Sequence, residues 1–208
     1  LMIYRRKYNS QIKIIEKVLN DLDENQKYYR VMFKSIYGRV LAKIGRFDEA
    51  LRYLEESVEI LDSLEEYEGL IPAINAIGII YSNYYYDIEK ATEYFEKNLY
   101  ICQRTNNLSF MSYSYNNLAE MYREKDKFSE SLEYYNKALE IIDKIHNKYL
   151  ETMIYMNQSL VNMELENYKK SLKCMDKAQT IINESKDLGE AIQYYYIYKA
   201  MFNYNIGY

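Results

Sequence analysis

Leu118-Ala119-Glu120-Met121-Tyr122, followed past Lys125-Asp126-Lys127 by Phe128, Ser131, Tyr135 and Ala138-Leu139, is the stretch that decides the fold. A bulky–small pair with an aromatic three residues on puts all three on one face of a first helix. The residues after the charged turn fall at spacings of 3, 4, 3 and 1, the apolar stripe of an amphipathic second helix. The small residue lets the two helices approach closely, so the whole stretch predicts an antiparallel helical hairpin.

Working outward, the same pattern recurs. Upstream stand Tyr37-Gly38, Leu41, Gly45, Phe47, Ala50, Leu54 and Ser57-Val58, then Ile77-Gly78, Tyr81, Ala91, Phe95 and Asn98-Leu99. Downstream is a weaker copy: Gln158-Ser159, Asn162, Tyr168, Ser171, Met175 and Ala178-Gln179. The small residue opening each second helix falls at Ala50, Ala91, Ser131 and Ser171, at steps of 41, 40 and 40 residues. The longer step is assigned to one extra residue in the turn Tyr84-Tyr85-Tyr86-Asp87. Polar breaks at Glu65-Glu66, Asn106-Asn107, His146-Asn147-Lys148 and Ser185-Lys186-Asp187 separate the units. The expected organisation is one array over 1–208, with full repeats at 25–64, 67–105, 108–146 and 149–185. A half repeat at 1–22 rests on Tyr8, Gln11, Ile15 and Val18-Leu19, and another at 188–208 on Tyr194 to Gly207. Both ends read as cut through a hairpin, which predicts a fragment of a longer protein.

Composition agrees. The 208 residues are 49% hydrophobic and 28% charged, enough to bury a core. Six glycines and one proline are too few for an all-β fold rich in turns. A net charge of −4 argues against nucleic acid or an acidic membrane as partner; the one dense basic run, Arg5-Arg6-Lys7, reads as a solvated helix end. Residues 1–20 lack an uninterrupted apolar signal segment, and the most apolar stretch, Leu70 to Tyr81, is too short to span a bilayer. Cys102 and Cys174 have no metal-ligand spacing around them and read as core or boundary residues of a reducing, cytoplasmic compartment. The single histidine, His146, has no nucleophile or second ligand nearby in sequence, and no glycine-rich phosphate loop is present. No catalytic site, metal site or cofactor is expected, and the chain reads as a binding protein.

The residues quoted above resemble the tetratricopeptide repeat family over essentially the whole chain. The bulky–Gly/Ala–xx–Tyr signature of its first helix stands here, as does the Tyr/Phe–xx–Ala/Ser–xxx–Phe/Tyr–xx–Ala–Leu signature of its second. The usual unit is about 34 residues, so this roughly 40-residue unit is the longer variety, similar to repeats of bacterial peptide-sensing regulators and signalling proteins. The signature decays in the fourth unit, at Gln158, Ser159 and Asn162. The resemblance implies an all-α, right-handed solenoid of tandem hairpins whose groove is lined by first helices. It also implies a protein or peptide partner, with an output such as a cyclic-dinucleotide synthase, a kinase or a transcription regulator attached.

If the signature positions face the core, helical stepping puts Ser35, Arg39 and Ala42, then Asn75, Ile79 and Ser82, on the opposite face. Asn116, Glu120 and Arg123 follow, then Met156, Leu160 and Met163. The last helix is ambiguous by a residue, with Tyr194, Ile197, Met201 and Tyr204 as candidates. Asn75 and Asn116 share a repeat position, and side-chain amides can hold an extended peptide backbone. Arg39 and Arg123 suit a carboxylate; the Met-Leu-Met stripe suits an apolar side chain. Three alternatives stand beside these readings: asparagine is common throughout, the methionines can be ordinary packing or a dimer contact, and Glu120 can pair with Arg123. A homodimer through the apolar last helix is a further alternative. Many of the 27 tyrosines fall on packed positions, as at Tyr37, Tyr81, Tyr122 and Tyr135, and are read as filling the core with hydroxyls at the surface, whereas the Tyr84-Tyr85-Tyr86 run lies in a turn and cannot all be buried.

Overall fold

The computed structural model describes residues 2–185 and 188–205, with side chains over 8–185 and 188–204. Lys186, Asp187, Gly207 and the side chains of Arg5-Arg6-Lys7 lie outside the described residues. Among those residues there are ten α-helices and no strand. No helix there is long and apolar enough to cross a membrane. The chain divides into two compact units, 1–106 and 107–208.

The first unit holds α1 (Met2–Asp21), α2 (Lys27–Lys43), α3 (Phe47–Ser63), α4 (Tyr67–Ile80) and α5 (Ile88–Arg104). Helices α2 and α3 pack as one hairpin and α4 and α5 as another, with α4 also on α2 and α3 and with α1 on α2. The signature residues Leu41, Ala50, Leu54 and Ile77 are fully buried, each large one contributing about 1.5–3 kcal/mol of apolar burial. The small positions are sterically enforced. A Cβ added to Gly38 would lie 2.7 Å from Leu54 Cγ, and one added to Gly78 would lie 2.6 Å from the Phe95 ring.

The second unit holds α6 (Leu108–Glu124), α7 (Phe128–Ile145), α8 (Lys148–Glu164), α9 (Tyr168–Glu184) and α10 (Glu190–Asn205). Here α6 pairs with α7 and α8 with α9; α8 also packs on α6 and α7, and α10 on α8 and α9. Ala119, Tyr135, Ala138, Ile142 and Ile154 form one core cluster. The weakened fourth repeat compensates with polar bonding at its close approach. Ser159 and Ser171 hydroxyls lie 2.7 Å apart, and Ser171 Oγ donates to the Ser159 carbonyl at 3.0 Å. Ser131 makes the matching bond to the Ala119 carbonyl, at 2.8 Å.

Helix ends explain the turns. Four helices end with an amide bonded five residues back: Arg46 to Leu41, Glu66 to Leu61, Lys127 to Tyr122 and Asn167 to Asn162. In each case the preceding residue is left-handed (Gly45, Glu65, Asp126 and Glu166), as this type of helix terminus requires. At the end of α4 the extra residue is absorbed as a π-helical turn, Tyr81–Tyr85, so Asp87 N reaches back six residues to the Tyr81 carbonyl. Asp87, Asn107 and Asn147 then cap α5, α6 and α8, accepting from Lys90, Phe110 and Leu150 amides.

Tyr135 departs from the expectation for its residue type. Its hydroxyl does not reach the surface; the residue is wholly buried and the hydroxyl has no hydrogen-bond partner. Tyr37 does find one, donating to Glu16 Oε1 at 2.8 Å, and burial with that bond pushes its pKa up to about 12.

Candidate ligand-binding face of the first helices

The predicted lining residues separate by repeat position. Three residues before the small residue come Ser35, Asn116 and Met156, which are 1%, 7% and 0% exposed. This position lies in the seam between successive first helices. Ser35 Oγ donates to the Gly69 carbonyl of α4 at 3.4 Å. Met156 packs with Met175, Ala178 and Tyr195, and Asn116 meets Asn157 of α8. Ser35, Asn116 and Met156, expected on an open face, are therefore buried where a first helix packs against its neighbour. Asn75, at the same position, is half-buried.

The positions one and four residues after the small residue are more open. Arg39, Glu120, Leu160, Arg123 and Met163 are half-buried, and Ile79 is exposed. Tyr194 and Met201 of α10 are also exposed. Arg39 makes no ion pair among the described residues, and burial lowers its pKa.

In the second unit these residues build a connected polar site. Glu120 Oε1 accepts from Asn116 Nδ2 at 3.2 Å and from Asn157 Nδ2 at 2.8 Å. Asn157 Nδ2 also approaches Asn116 Oδ1 at 3.4 Å, and Asn157 Oδ1 accepts from the Tyr198 hydroxyl at 3.2 Å. The carboxylate thus ties α6 to α8 and, through Asn157, to α10. Arg123 does not pair with Glu120. Its guanidinium bonds Glu164 at 3.1 Å and the adjacent Glu124. Burial raises the Glu120 pKa against the opposing pull of the Asn116 bond, the Arg123 charge and the Asn157 bond. Burial, with the nearby Glu120 charge second, also raises those of Tyr135 and Tyr198. Burial opposes the charge on Arg123, but Glu124 and Glu164 outweigh it and its pKa is raised.

The sequence pattern brought Asn116, Glu120 and Arg123 to one place but missed Asn157, Tyr198, Tyr135 and Glu164. One signal was available: Asn116, Asn157 and Tyr198 are spaced by 41 residues. In the fourth unit that spacing runs one residue past the signature register, which drew attention to Met156 instead. Among the described residues no group of His, Cys, Asp and Glu could hold a metal ion.

Comparisons with known proteins agree with this architecture. Family models described as Tetratricopeptide repeat match residues 87–144 and 110–181, and another matches 38–61, together more than half of the chain. No curated protein matches the sequence. Among solved structures, BtubC (BKLC) from P. vanneervenii superposes with a TM-score of 0.77 at 18% identity, over 98% of this chain and 84% of its own. A Rap protein complexed with Competence and Sporulation Factor superposes at 0.75 and 14% identity, over 96% of this chain but 54% of its own. Bacillus thuringiensis PlcR, in complex with the peptide PapR7 and DNA, superposes at 0.68 and 18% identity, over 97% of this chain and 70% of its own. The chain thus spans about half the length of the Rap protein. With the hairpin signatures, the helix pairs and the family matches in agreement, the chain belongs to the tetratricopeptide repeat family and has the all-α solenoid fold of that family.

Proposed function

We propose that this chain is a peptide- or protein-binding module, and that its second unit receives an extended polypeptide on the face formed by α6, α8 and α10. The observation that carries this is the Glu120–Asn116–Asn157–Tyr198 network. A carboxylate kept half-buried without a direct ion pair is an arrangement that stability alone does not favour and that ligand sites commonly use. Tetratricopeptide folds are generally binding scaffolds, and the module is read here as the regulatory or scaffolding region of a larger cytoplasmic bacterial signalling protein. The array then comprises four hairpins with a half-hairpin at each end. Its output would be a diguanylate cyclase, a kinase or a transcription regulator.

A narrower reading, direct reception of a short signalling peptide, is favoured by the likeness to two solved structures, a Rap protein complexed with Competence and Sporulation Factor and PlcR with the peptide PapR7. A third, dimerisation, is favoured by the exposed Tyr194, Ile197, Met201 and Tyr204 of α10. Selection of a displayed random-peptide library on the full chain separates them. Short extended peptides are expected to be enriched, with binding weakened at least about tenfold in Asn157→Ala, since one lost hydrogen bond to a charged group is worth about 1.5–3 kcal/mol. Enrichment of no peptide, together with concentration-dependent dimerisation, would overturn that expectation in favour of the third reading.

A further inference from the structure

We infer that Glu120, with the hydroxyls of Tyr135 and Tyr198, forms a subsite for a cationic nitrogen group, an ammonium or guanidinium, carried by the ligand. This deepens the peptide-binding reading and rests on it for the source of the cation, though not for the chemistry.

Three observations converge. First, the carboxylate is only half used. Both amide donors, Asn116 and Asn157, go to Oε1, and among the described residues Oε2 takes no hydrogen bond. A carboxylate has roughly four acceptor positions, so an N–H donor can join without displacing what is there. Second, the local charge is of one sign. Glu120, Glu124 and Glu164 surround the guanidinium of Arg123, whose bonds go to Glu124 and Glu164 and leave Glu120 without a direct ion pair, its charge offset by Arg123 only at longer range. Third, Tyr135 is wholly buried with an unpartnered hydroxyl, and it feels the charges of Glu120 and Arg123 as well as Tyr198. A buried hydroxyl oxygen without a donor is unusual and supplies the second acceptor a multi-donor cation needs. An anion is disfavoured by the same count, since it would meet three carboxylates and acceptor oxygens. An apolar group would bury Glu120 further with nothing to neutralise it.

The subsite is linked to protonation. Burial favours the protonated carboxyl of Glu120, and a bound cation favours the carboxylate. Binding therefore releases a proton when Glu120 starts protonated, and affinity rises as pH rises through the Glu120 titration. The charged groups acting on it are Arg123 and Glu124 on α6; Tyr135 on α7 and Tyr198 on α10 feel its charge in turn, and Glu164 on α8 pairs with Arg123.

The test uses the full chain and two probes. Random hexapeptides with one fixed residue, arginine or its uncharged analogue citrulline, are compared for binding to the wild-type chain and to Glu120→Gln. The expected result is a preference for arginine on the order of tenfold in the wild type, abolished in Glu120→Gln while citrulline peptides bind both alike. Separately, the Glu120 carboxyl titration is followed by carbon NMR in the wild type, with and without agmatine, a free guanidinium. Its midpoint is expected to fall when agmatine is added. This second measurement needs no variant to fold. If no hexapeptide binds but agmatine lowers the midpoint, the subsite stands, its cation comes from a small molecule, and the peptide reading fails. If hexapeptides bind with no preference for arginine, or with one that survives Glu120→Gln, and agmatine leaves the midpoint unmoved, the subsite is overturned and the peptide reading survives.

Discussion

Tyr135 and Glu120 show how single residues in this chain depart from what stability would choose. Tyr135 fills the core between α6 and α7 with its ring, but its hydroxyl is desolvated and unpartnered. Removing that oxygen deletes the penalty and leaves the packing. Tyr135→Phe is therefore expected to stabilise the unit by about 1 kcal/mol, read as a higher urea midpoint with an unchanged slope. A destabilised variant would mean that the hydroxyl is bonded in solution. For Glu120 the sign of the pH dependence follows from its raised pKa. The folded chain binds the proton more tightly than the unfolded chain, whose glutamate titrates at about 4.3. Stability thus falls as pH rises from that value through the folded midpoint. Glu120→Gln should flatten this segment of the stability profile and match or exceed the wild type at neutral pH. An unaltered profile would assign the dependence to another group.

At the scale of helices, the contact that defines each hairpin is the small residue of its first helix. Alanine in place of Gly78 gains about 1 kcal/mol of helix propensity. Its Cβ, however, meets the rigid Phe95 ring at 2.6 Å, and overpacking costs about 1–3 kcal/mol. A net loss of about 1 kcal/mol and a lower Tm are expected for Gly78→Ala; a gain in Tm would show that α4 and α5 separate freely. The last helix is held differently, by its contacts with α8 and α9 and by one polar tie, Tyr198 to Asn157. Tyr198→Phe should accelerate amide hydrogen exchange in α10 while leaving protection in α6 and α7 unchanged. Equal acceleration throughout the unit would contradict the idea of a local tie.

For the molecule as a whole, the fold was legible because one pattern is repeated. Tyr37-Gly38, Ile77-Gly78 and Leu118-Ala119 each mark a close helix approach, and charged or asparagine-rich breaks mark the ends. The polar face was only half legible. Helical stepping separates the two sides of one helix, but it does not say which residues on the outer side a neighbouring helix will cover. Ser35 and Met156 are covered in this way. Asn157 was hidden for the same reason, because it is placed by packing of α8 on α6 rather than by the repeat signature. The π-helical turn Tyr81–Tyr85 was half visible too: the extra residue showed in the 41-residue step, the way the backbone absorbs it did not. The claim on which everything else depends is that ligand contacts fall on first helices. It is tested most directly by backbone-amide NMR of the full chain titrated with a library-selected hexapeptide. Shifts are expected to concentrate in α6, α8 and α10, with Glu120 and Asn157 among the largest. Shifts concentrated in α7 and α9 would contradict it.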